Sequence, residues 1–219
     1  MSFGKPTSNS NKKAYAFKIK IKDVPAPYFE VKVKNAEGKW EVVPSNEPVT
    51  YVAGTIVSVE PKENKTIING IEELIKSVSV VLEDKDEVYY VTLSGNNLGR
   101  NIMNSLLSLK TFEKVSISLY NSKPKKAGDK IFASAALRQD DVLIKGFYAS
   151  DKLPAPQEVT FKGKKQKDYT DAENFLRTQL TELNKIIKAA KSAAPAKQEE
   201  ASTEVDHESP TPPDDDKMF

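Results

Sequence analysis

Aromatic rings and lysines are the groups in this chain whose types and spacing suggest chemistry, because the usual catalytic groups are missing. The chain has no cysteine, and its single histidine, His207, lies in an acidic, proline-bearing segment. Ser-His-Asp and Cys-His catalysis therefore lack their base. The carboxylate clusters, Asp140-Asp141 and Asp214 to Asp216, fall in a predicted turn and a predicted tail rather than on a rigid scaffold. We predict that the protein is not an enzyme and uses no metal ion and no cofactor.

The net charge of +2 hides a basic body and an acidic tail. From Ser192 onward there are two lysines and eight acids, which gives −6 and leaves +8 for residues 1–191. Such a body predicts a polyanionic partner, although ordinary solubilising charge is an alternative interpretation. The tail is rich in Ala, Pro, Glu, Ser, Thr and Asp, and this composition predicts disorder.

Single nucleic-acid strands are held by aromatic stacking platforms beside a cationic groove. Lysines concentrate in two predicted connections, 61–76 and 121–130, and aromatic residues are predicted to point outward on nearby strands. A solvated hairpin tip and a buried aromatic core are the alternatives. The pattern predicts a nucleic-acid-binding set made of Tyr90, Tyr120, Phe132, Trp40, Lys62, Lys65, Lys123, Lys125, Lys126 and Lys130.

The elements that would position these residues lie between residues 51 and 150. Strand patterns cover 51–59, 77–82, 88–93, 115–120 and 131–137, and a helical stripe covers 98–110, with Asn96 or Asn97 as its cap. In the fourth strand Val115, Ile117 and Leu119 alternate with polar residues. This element order is typical of an OB-fold, whose strand 2–3 face and 1–2 and 4–5 loops bind ligands. Another small antiparallel barrel or an α+β domain remains open.

Further elements flank this stretch. Strand patterns precede it at 15–21, 29–33 and 39–43, another strand is predicted at 142–148, and Pro154 and Pro156 indicate a linker. A helix is predicted from the capping-box sequence Thr170-Asp-Ala-Glu173 to about Lys191. Its apolar seam could pack on the barrel or pair with a second copy, which would give a homodimer. The seam consists of Leu176, Leu180, Leu183, Ile187 and Ala190.

The predicted fold class is mostly β, an OB-fold five-stranded Greek-key barrel with added N-terminal strands, one internal helix, a C-terminal helix and a disordered acidic tail. The domains follow from these elements. We predict a disordered N-terminus at 1–11, the OB-fold domain with its strand extension at 12–150, a linker and C-terminal helix at 151–191, and the disordered tail at 192–219.

The sequence Asp214-Asp-Asp-Lys-Met-Phe219 resembles the acidic, phenylalanine-ended tip of bacterial and phage single-stranded DNA-binding proteins. In that family three aspartates, two apolar or small residues and a final phenylalanine follow a flexible acidic linker. Lys217 departs from this pattern, and the added strands and helix make the chain more similar to phage-encoded versions. The resemblance implies sequence-independent binding of single-stranded DNA in replication, recombination or repair. It also implies recruitment of partner proteins through Asp214, Asp215, Asp216, Met218 and Phe219.

Three other functions remain open: an OB-fold RNA-binding protein, a sugar-binding OB domain, and a structural or assembly protein that binds no nucleic acid. No apolar run approaches the roughly 18 residues that span a bilayer, and no secretory signal opens the sequence. We therefore expect no membrane association. The resemblance implies a cytoplasmic location, in the bacterial host cell if the protein is phage-encoded.

Overall fold

The computed structural model describes residues 11–18, 27–35, 37–44, 47–68, 71–85, 87–121, 133–161 and 163–193. The described chain contains eleven strands, two α-helices and a short 3-10 turn. They are β1 (Asn11–Lys18), β2 (Tyr28–Lys34), β3 (Trp40–Val42), β4 (Tyr51–Ile68), β5 (Ile71–Asp84), β6 (Glu87–Ser94), α1 (Asn97–Leu106), β7 (Val115–Asn121), β8 (Ala133–Gln139), β9 (Val142–Leu143), the 3-10 turn Ser150–Lys152, β10 (Gln157–Phe161), β11 (Lys164–Asp168) and α2 (Thr170–Ala193).

Nine strands form one large sheet in the order β3-β2-β1-β6-β5-β4-β7-β8-β9. All neighbours are antiparallel except β1 and β6, which run parallel. Strands β10 and β11 form a separate two-stranded hairpin. The prediction of a mostly β protein with added N-terminal strands, an internal helix and a C-terminal helix is confirmed.

The core lies between one face of this sheet and the two helices. On β7 the side chains of Val115, Ile117 and Leu119 are buried, as the alternating pattern predicts. Four of the five predicted seam residues of α2 are also buried here and belong to the same core cluster: Leu176, Leu180, Leu183 and Ile187. The fifth, Ala190, is exposed. Each fully buried leucine contributes about 1.5–3 kcal/mol relative to an exposed one. The seam therefore packs on the sheet, and it is not available to a second copy.

The helix ends follow local capping only in part. Asn96 caps α1 as predicted, because its Oδ1 accepts a hydrogen bond of 2.9 Å from the amide of Gly99. Helix α1 ends at Leu106 rather than at Lys110. Just after Leu106, the backbone amides donate to the carbonyl three residues earlier, as in a 3-10 turn, instead of four residues earlier. The capping box at Thr170 does not form. Thr170 is already helical, and its amide and hydroxyl donate to Asp168.

The five strands of the predicted barrel are neighbours in the order β6-β5-β4-β7-β8, so closure would require β6 to pair with β8. Within the described residues, β6 pairs with β1 on the side where β8 would be needed, and β8 pairs with β9 on the side where β6 would be needed. The sheet nevertheless curls, because Phe29 donates to Val49 at 2.7 Å and Leu119 donates to Thr50 at 2.8 Å, which links β2 to β7. A closed five-stranded barrel is not observed in this part of the chain.

Residues 61–76 correct a prediction, since the expected lysine-rich connection is a two-stranded ribbon. Strand β4 continues to Ile68, β5 starts at Ile71, and these two residues pair. The pairing leaves Asn69-Gly70 between them, and Asn-Gly is the dipeptide that two-residue hairpin turns favour. β-branched residues on both sides add strand preference. We call the ribbon formed by residues 61–68 and 71–76 the arm.

Two smaller predictions are also corrected. The strand expected at 142–148 is limited to Val142–Leu143, because Asn104 of α1 captures the following backbone. Its side chain accepts from the amide of Tyr148 and donates to the carbonyl of the same residue, both at 2.9 Å. The segment predicted as a linker before the C-terminal helix contains the β10–β11 hairpin.

Candidate nucleic-acid interface

An aromatic pair with a cation beside it lies on the solvent-facing side of the sheet, opposite the helices. The rings of Trp40 and Tyr90 are 6.1 Å apart between centroids and meet edge to face at 68°. The Lys34 ammonium lies 5.6 Å from the Trp40 ring centroid. Trp40 is 40% exposed. We call these three residues the aromatic cluster. It combines a stacking surface with a positive charge.

Strand register explains how residues 50 positions apart in the chain meet. Trp40 pairs with Lys34 across β2 and β3, while Tyr90 shares a register row with Ala14 and Lys32. Three strand spacings of about 4.8 Å would separate β3 from β6 by about 14 Å in a flat sheet. The shorter ring distance therefore means that the two side chains lean toward each other across β2 and β1.

The turn before β3 fixes the position of Trp40. The Asn35 side chain accepts from the amides of Glu37 and Lys39 at 3.0 and 2.9 Å and donates to the Glu41 carboxylate at 2.6 Å. Gly38 adopts φ of 77°, in the left-handed region that glycine tolerates best. The turn therefore fixes the backbone position from which Trp40 faces Lys34.

The outward direction of Tyr90 agrees with the sequence prediction. Its neighbours on β6, Val91 and Leu93, alternate with it, and Val91 and Leu93 are fully buried. Tyr90 itself is half-buried on the opposite face. Strands β5 and β6 correspond in order to the second and third strands of the predicted barrel, so this ring lies on the face that the OB-fold hypothesis assigns to the ligand.

A second aromatic surface lies on the same side of the sheet, at the other end. Tyr120 on β7 is 45% exposed, and Tyr51 on β4 is 55% exposed. Tyr51 pairs with Ser118, two residues before Tyr120, so the two rings project from neighbouring strands on one face. We call them the tyrosine pair. Its geometry also suits base stacking, but no lysine lies over either ring among the described residues.

Beside the tyrosine pair lies an open cleft of about 420 Å³ with an acidic lining. Its floor contains the small residues Ala53, Gly54 and Ser116. Four carboxylates and two ammonium groups surround it, from Glu83, Asp84, Asp140, Asp141, Lys85 and Lys114. Three of these charges are already paired, since Lys114 lies 3.2 Å from Asp140 and Glu83 lies 3.4 Å from Lys191 of α2. The excess of carboxylates disfavours a phosphate at this end of the sheet.

Lys62 and Lys65 are not the basic loop residues that the sequence predicted. Both lie in β4 on the arm, and each faces a carboxylate: Lys62 is 4.0 Å from Glu60, and Lys65 is 2.7 Å from Glu72. Residues 61–76 contain three lysines and three glutamates, so the arm is neutral. The prediction considered only the lysines of this segment and not the three glutamates that balance their charge.

The other predicted residues lie outside the described part of the chain. This holds for Phe132, for Lys123, Lys125, Lys126 and Lys130, and for the tip residues Asp214, Asp215, Asp216, Met218 and Phe219. Of the predicted set, the structure brings together Trp40 and Tyr90, and it places Tyr120 on the same side of the sheet. Two residues of this surface were not predicted from the sequence. The signal for Tyr51 is its alternation with the buried Val52, and the signal for Lys34 is its place opposite Trp40 in a hairpin.

A carboxyl group with a raised pKa lies away from this surface, where α2 meets the sheet. Burial raises the pKa of Glu173, although the charges of Arg177, Arg100 and Lys76 act in the opposite direction. One carboxylate oxygen of Glu173 is buried without a hydrogen-bond partner. Among the described residues no group of three or more His, Cys, Asp or Glu side chains is arranged to hold a metal ion. No described helix is long and apolar enough to cross a membrane.

Comparison of the chain with protein-family models, with curated proteins and with solved structures found no match.

Proposed function

We propose that this protein binds single-stranded DNA without sequence preference during replication, recombination or repair, and that its acidic tail recruits partner proteins. The observation that carries the proposal is the aromatic cluster. Trp40 and Tyr90 offer a stacking platform, and Lys34 supplies a cation beside it. Base stacking on an aromatic side chain contributes about 1–3 kcal/mol per base and is tolerant of sequence.

The topology supports an OB-like body for this function. The order β4-β5-β6-α1-β7-β8 and the pairings β4–β5, β5–β6, β4–β7 and β7–β8 agree with a Greek-key barrel that is open between its third and fifth strands. OB-folds are only partly closed in general. In this proposal β1, β2 and β3 widen the ligand face, and β3 brings Trp40 to it.

The charge distribution supports the two-part role. A body of +8 attracts the phosphate strand, and a tail of −6 with the family-like tip presents Phe219 to a partner's apolar pocket and the aspartates to its basic rim. Removal of residues 214–219 should leave DNA affinity unchanged or slightly higher and should abolish binding to replication enzymes. Equal recovery of a polymerase by the full-length and the truncated protein would leave the tail as a solubilising segment.

The single tryptophan makes a direct test possible. Because Trp40 is the only tryptophan, its intrinsic fluorescence reports on the aromatic cluster alone. Titration with oligo-dT should quench this emission, and the apparent affinity should fall with salt. Each phosphate contact on a single strand contributes about −0.7 to the slope of log K against log salt, so four or five contacts give roughly −3.

The same titration separates the competing functions. A salt slope near zero, with no quenching by DNA, would contradict the proposal and favour a sugar-binding or assembly role. Competition between oligo-dT and oligo-U then distinguishes DNA from RNA, since both polymers would occupy the same face. The variant Trp40→Phe, followed by a labelled oligonucleotide, is the control that keeps a ring at this position but removes the intrinsic signal.

A further inference from the structure

The arm carries exposed apolar side chains and an unpaired backbone edge. Neither takes part in the hydrophobic core. Ile67 is 75% exposed and Leu74 is 51% exposed. The register places both on one face of the ribbon, because Leu74 pairs with Lys65 and Ile67 pairs with Glu72. Exposed strands with apolar side chains are templates for pairing with another chain.

One edge of the arm is open. Strand β6 pairs with β5 only from Ser77 onward, so among the described residues no strand covers the outer edge of β5 from Glu72 to Lys76. The opposite edge, on β4, contains Pro61, which lacks the amide that a ladder needs. The edge formed by residues 72–76 has no proline. This edge is therefore the one suited to receive a further strand.

The base of the arm is held rigidly by α2. Arg177 is only 7% exposed, and its guanidinium donates to the carbonyls of Ser77 at 2.6 Å and of Lys62 at 3.2 Å, one on each strand. It also lies 3.3 Å from the Glu63 carboxylate. The ribbon beyond this clamp is thus presented in a fixed direction, which lowers the entropy cost of docking.

We propose that the arm pairs with the arm of a second copy of this chain, through residues 72–76 of β5 in an antiparallel ladder. A two-fold axis perpendicular to the ribbon closes such a dimer and keeps each face in register. Only registers that pair residues from the same face are then allowed, so the axis must pass through Glu73, Leu74 or Ile75.

Charge selects one of these three registers. With the axis at Glu73, two like charges would face each other. With the axis at Ile75, Leu74 would face Lys76 and no opposite charges would meet. With the axis at Leu74, the two Leu74 side chains meet and Glu72 of each copy faces Lys76 of the other, while Glu73 faces Ile75 on the other side of the ribbon. Opposite charges across a ladder stabilise a pair and like charges destabilise it. Centred on Leu74, the arm is self-complementary.

The groups already bonded within the arm permit these contacts. Glu72 binds Lys65 at 2.7 Å and keeps acceptor positions for a second lysine, because a carboxylate offers about four. Lys76 donates to Asn174 at 3.1 Å and has two further donors. Ile67 lies diagonally beside Leu74, so the four-stranded ribbon gains an apolar stripe. The area is small, and we expect a dissociation constant on the order of micromolar.

Sedimentation velocity of the full-length protein tests the proposal. The parent should shift from monomer to dimer over about 1–100 μM by mass action. Glu72→Lys should lower the association constant by about tenfold or more, because it places like charges opposite each other at both ends of the ladder. The double variant Glu72→Lys with Lys76→Glu should restore dimerisation. Glu182→Lys makes the same change of charge on an exposed helix position and should have no effect.

A cross-link provides a test that does not depend on charge. The chain has no cysteine, so Leu74→Cys places one thiol on the two-fold axis, where facing residues are close enough for a disulfide. Leu143→Cys is a matched control, because Leu143 is also 51% exposed. We expect oxidation to yield a covalent dimer only from Leu74→Cys. A monomeric parent at every concentration, failure of the charge swap to restore association, or equal cross-linking by both cysteines would overturn the proposal.

Discussion

The aromatic cluster and the tyrosine pair have similar rings but different electrostatic surroundings. Both lie on the side of the sheet that faces away from the helices, and Trp40, Tyr51 and Tyr120 are exposed to a similar degree. At the aromatic cluster a lysine lies over the tryptophan ring. At the tyrosine pair the neighbouring cleft has four carboxylates and two lysines. An exposed ring therefore suggests a nucleic-acid contact only when the charges around it also favour a phosphate.

Removing an aromatic ring should change the DNA affinity more than any other substitution. Trp40→Ala should weaken oligo-dT binding by about 1–3 kcal/mol, while Tyr120→Ala should cost about 1 kcal/mol, at the lower end of the stacking range. Fluorescence anisotropy of a labelled oligonucleotide measures both, with circular dichroism as the control for folding. A larger loss from Tyr120→Ala than from Trp40→Ala would reverse the comparison.

Charge reversal next tests whether local pairing decides which lysines matter. Lys34→Glu should reduce the magnitude of the salt slope by about 0.7, the value for one phosphate contact. Lys65→Glu makes the same change of charge on the arm, where the Glu72 carboxylate lies 2.7 Å from the lysine. We expect Lys65→Glu to change the slope far less. Equal slopes for the two variants would show that only the total charge of the body matters.

Neutralising the acidic cleft should bring the tyrosine pair closer to the aromatic cluster. Asp140 and Asp141 adopt φ of 47° and 64°, and asparagine tolerates this left-handed region as well as aspartate does. Asp140→Asn with Asp141→Asn should therefore preserve the turn and strengthen oligo-dT binding by about twofold to threefold, as repulsion of a nearby phosphate is removed. Unchanged affinity would place the DNA path away from this cleft.

The smallest expected effect on binding comes from Glu173, which lies away from both surfaces. Burial raises its pKa in the folded state, so the folded protein holds this proton more tightly than the unfolded chain does. Its contribution to the free energy of unfolding is therefore greatest at low pH and is lost as the pH rises through the raised pKa.

Glu173→Gln removes this titration. Thermal unfolding should show the variant more stable than the parent at about pH 8 and little different at about pH 4, where the parent carboxyl is largely protonated. DNA affinity should be the same for both proteins. A parent more stable than the variant at the higher pH would mean that the charges of Arg100, Arg177 and Lys76 outweigh the burial of the carboxylate.

Local patterns predicted what depends on neighbouring residues. The alternation of Val115, Ile117 and Leu119 predicted a half-buried strand, Asn96 predicted the start of α1, and the spacing of the α2 seam predicted a buried helix face. These predictions succeeded because each rests on side-chain periodicity or on a hydrogen bond within one turn. The arm was also within reach of the sequence, since Asn69-Gly70 lies between two isoleucines.

Composition and side-chain periodicity predicted a basic body, an acidic tail, most of the strands and the outward direction of Tyr90 and Tyr120. That β1 pairs with the edge of β6 and that Trp40 reaches Tyr90 could be seen only in the folded chain. Both contacts depend on which strand edges pair with each other. Every buried backbone donor and acceptor must be paired, and which distant strand satisfies it depends on the competition among all available edges. No local sequence pattern predicts which of the distant strands pair.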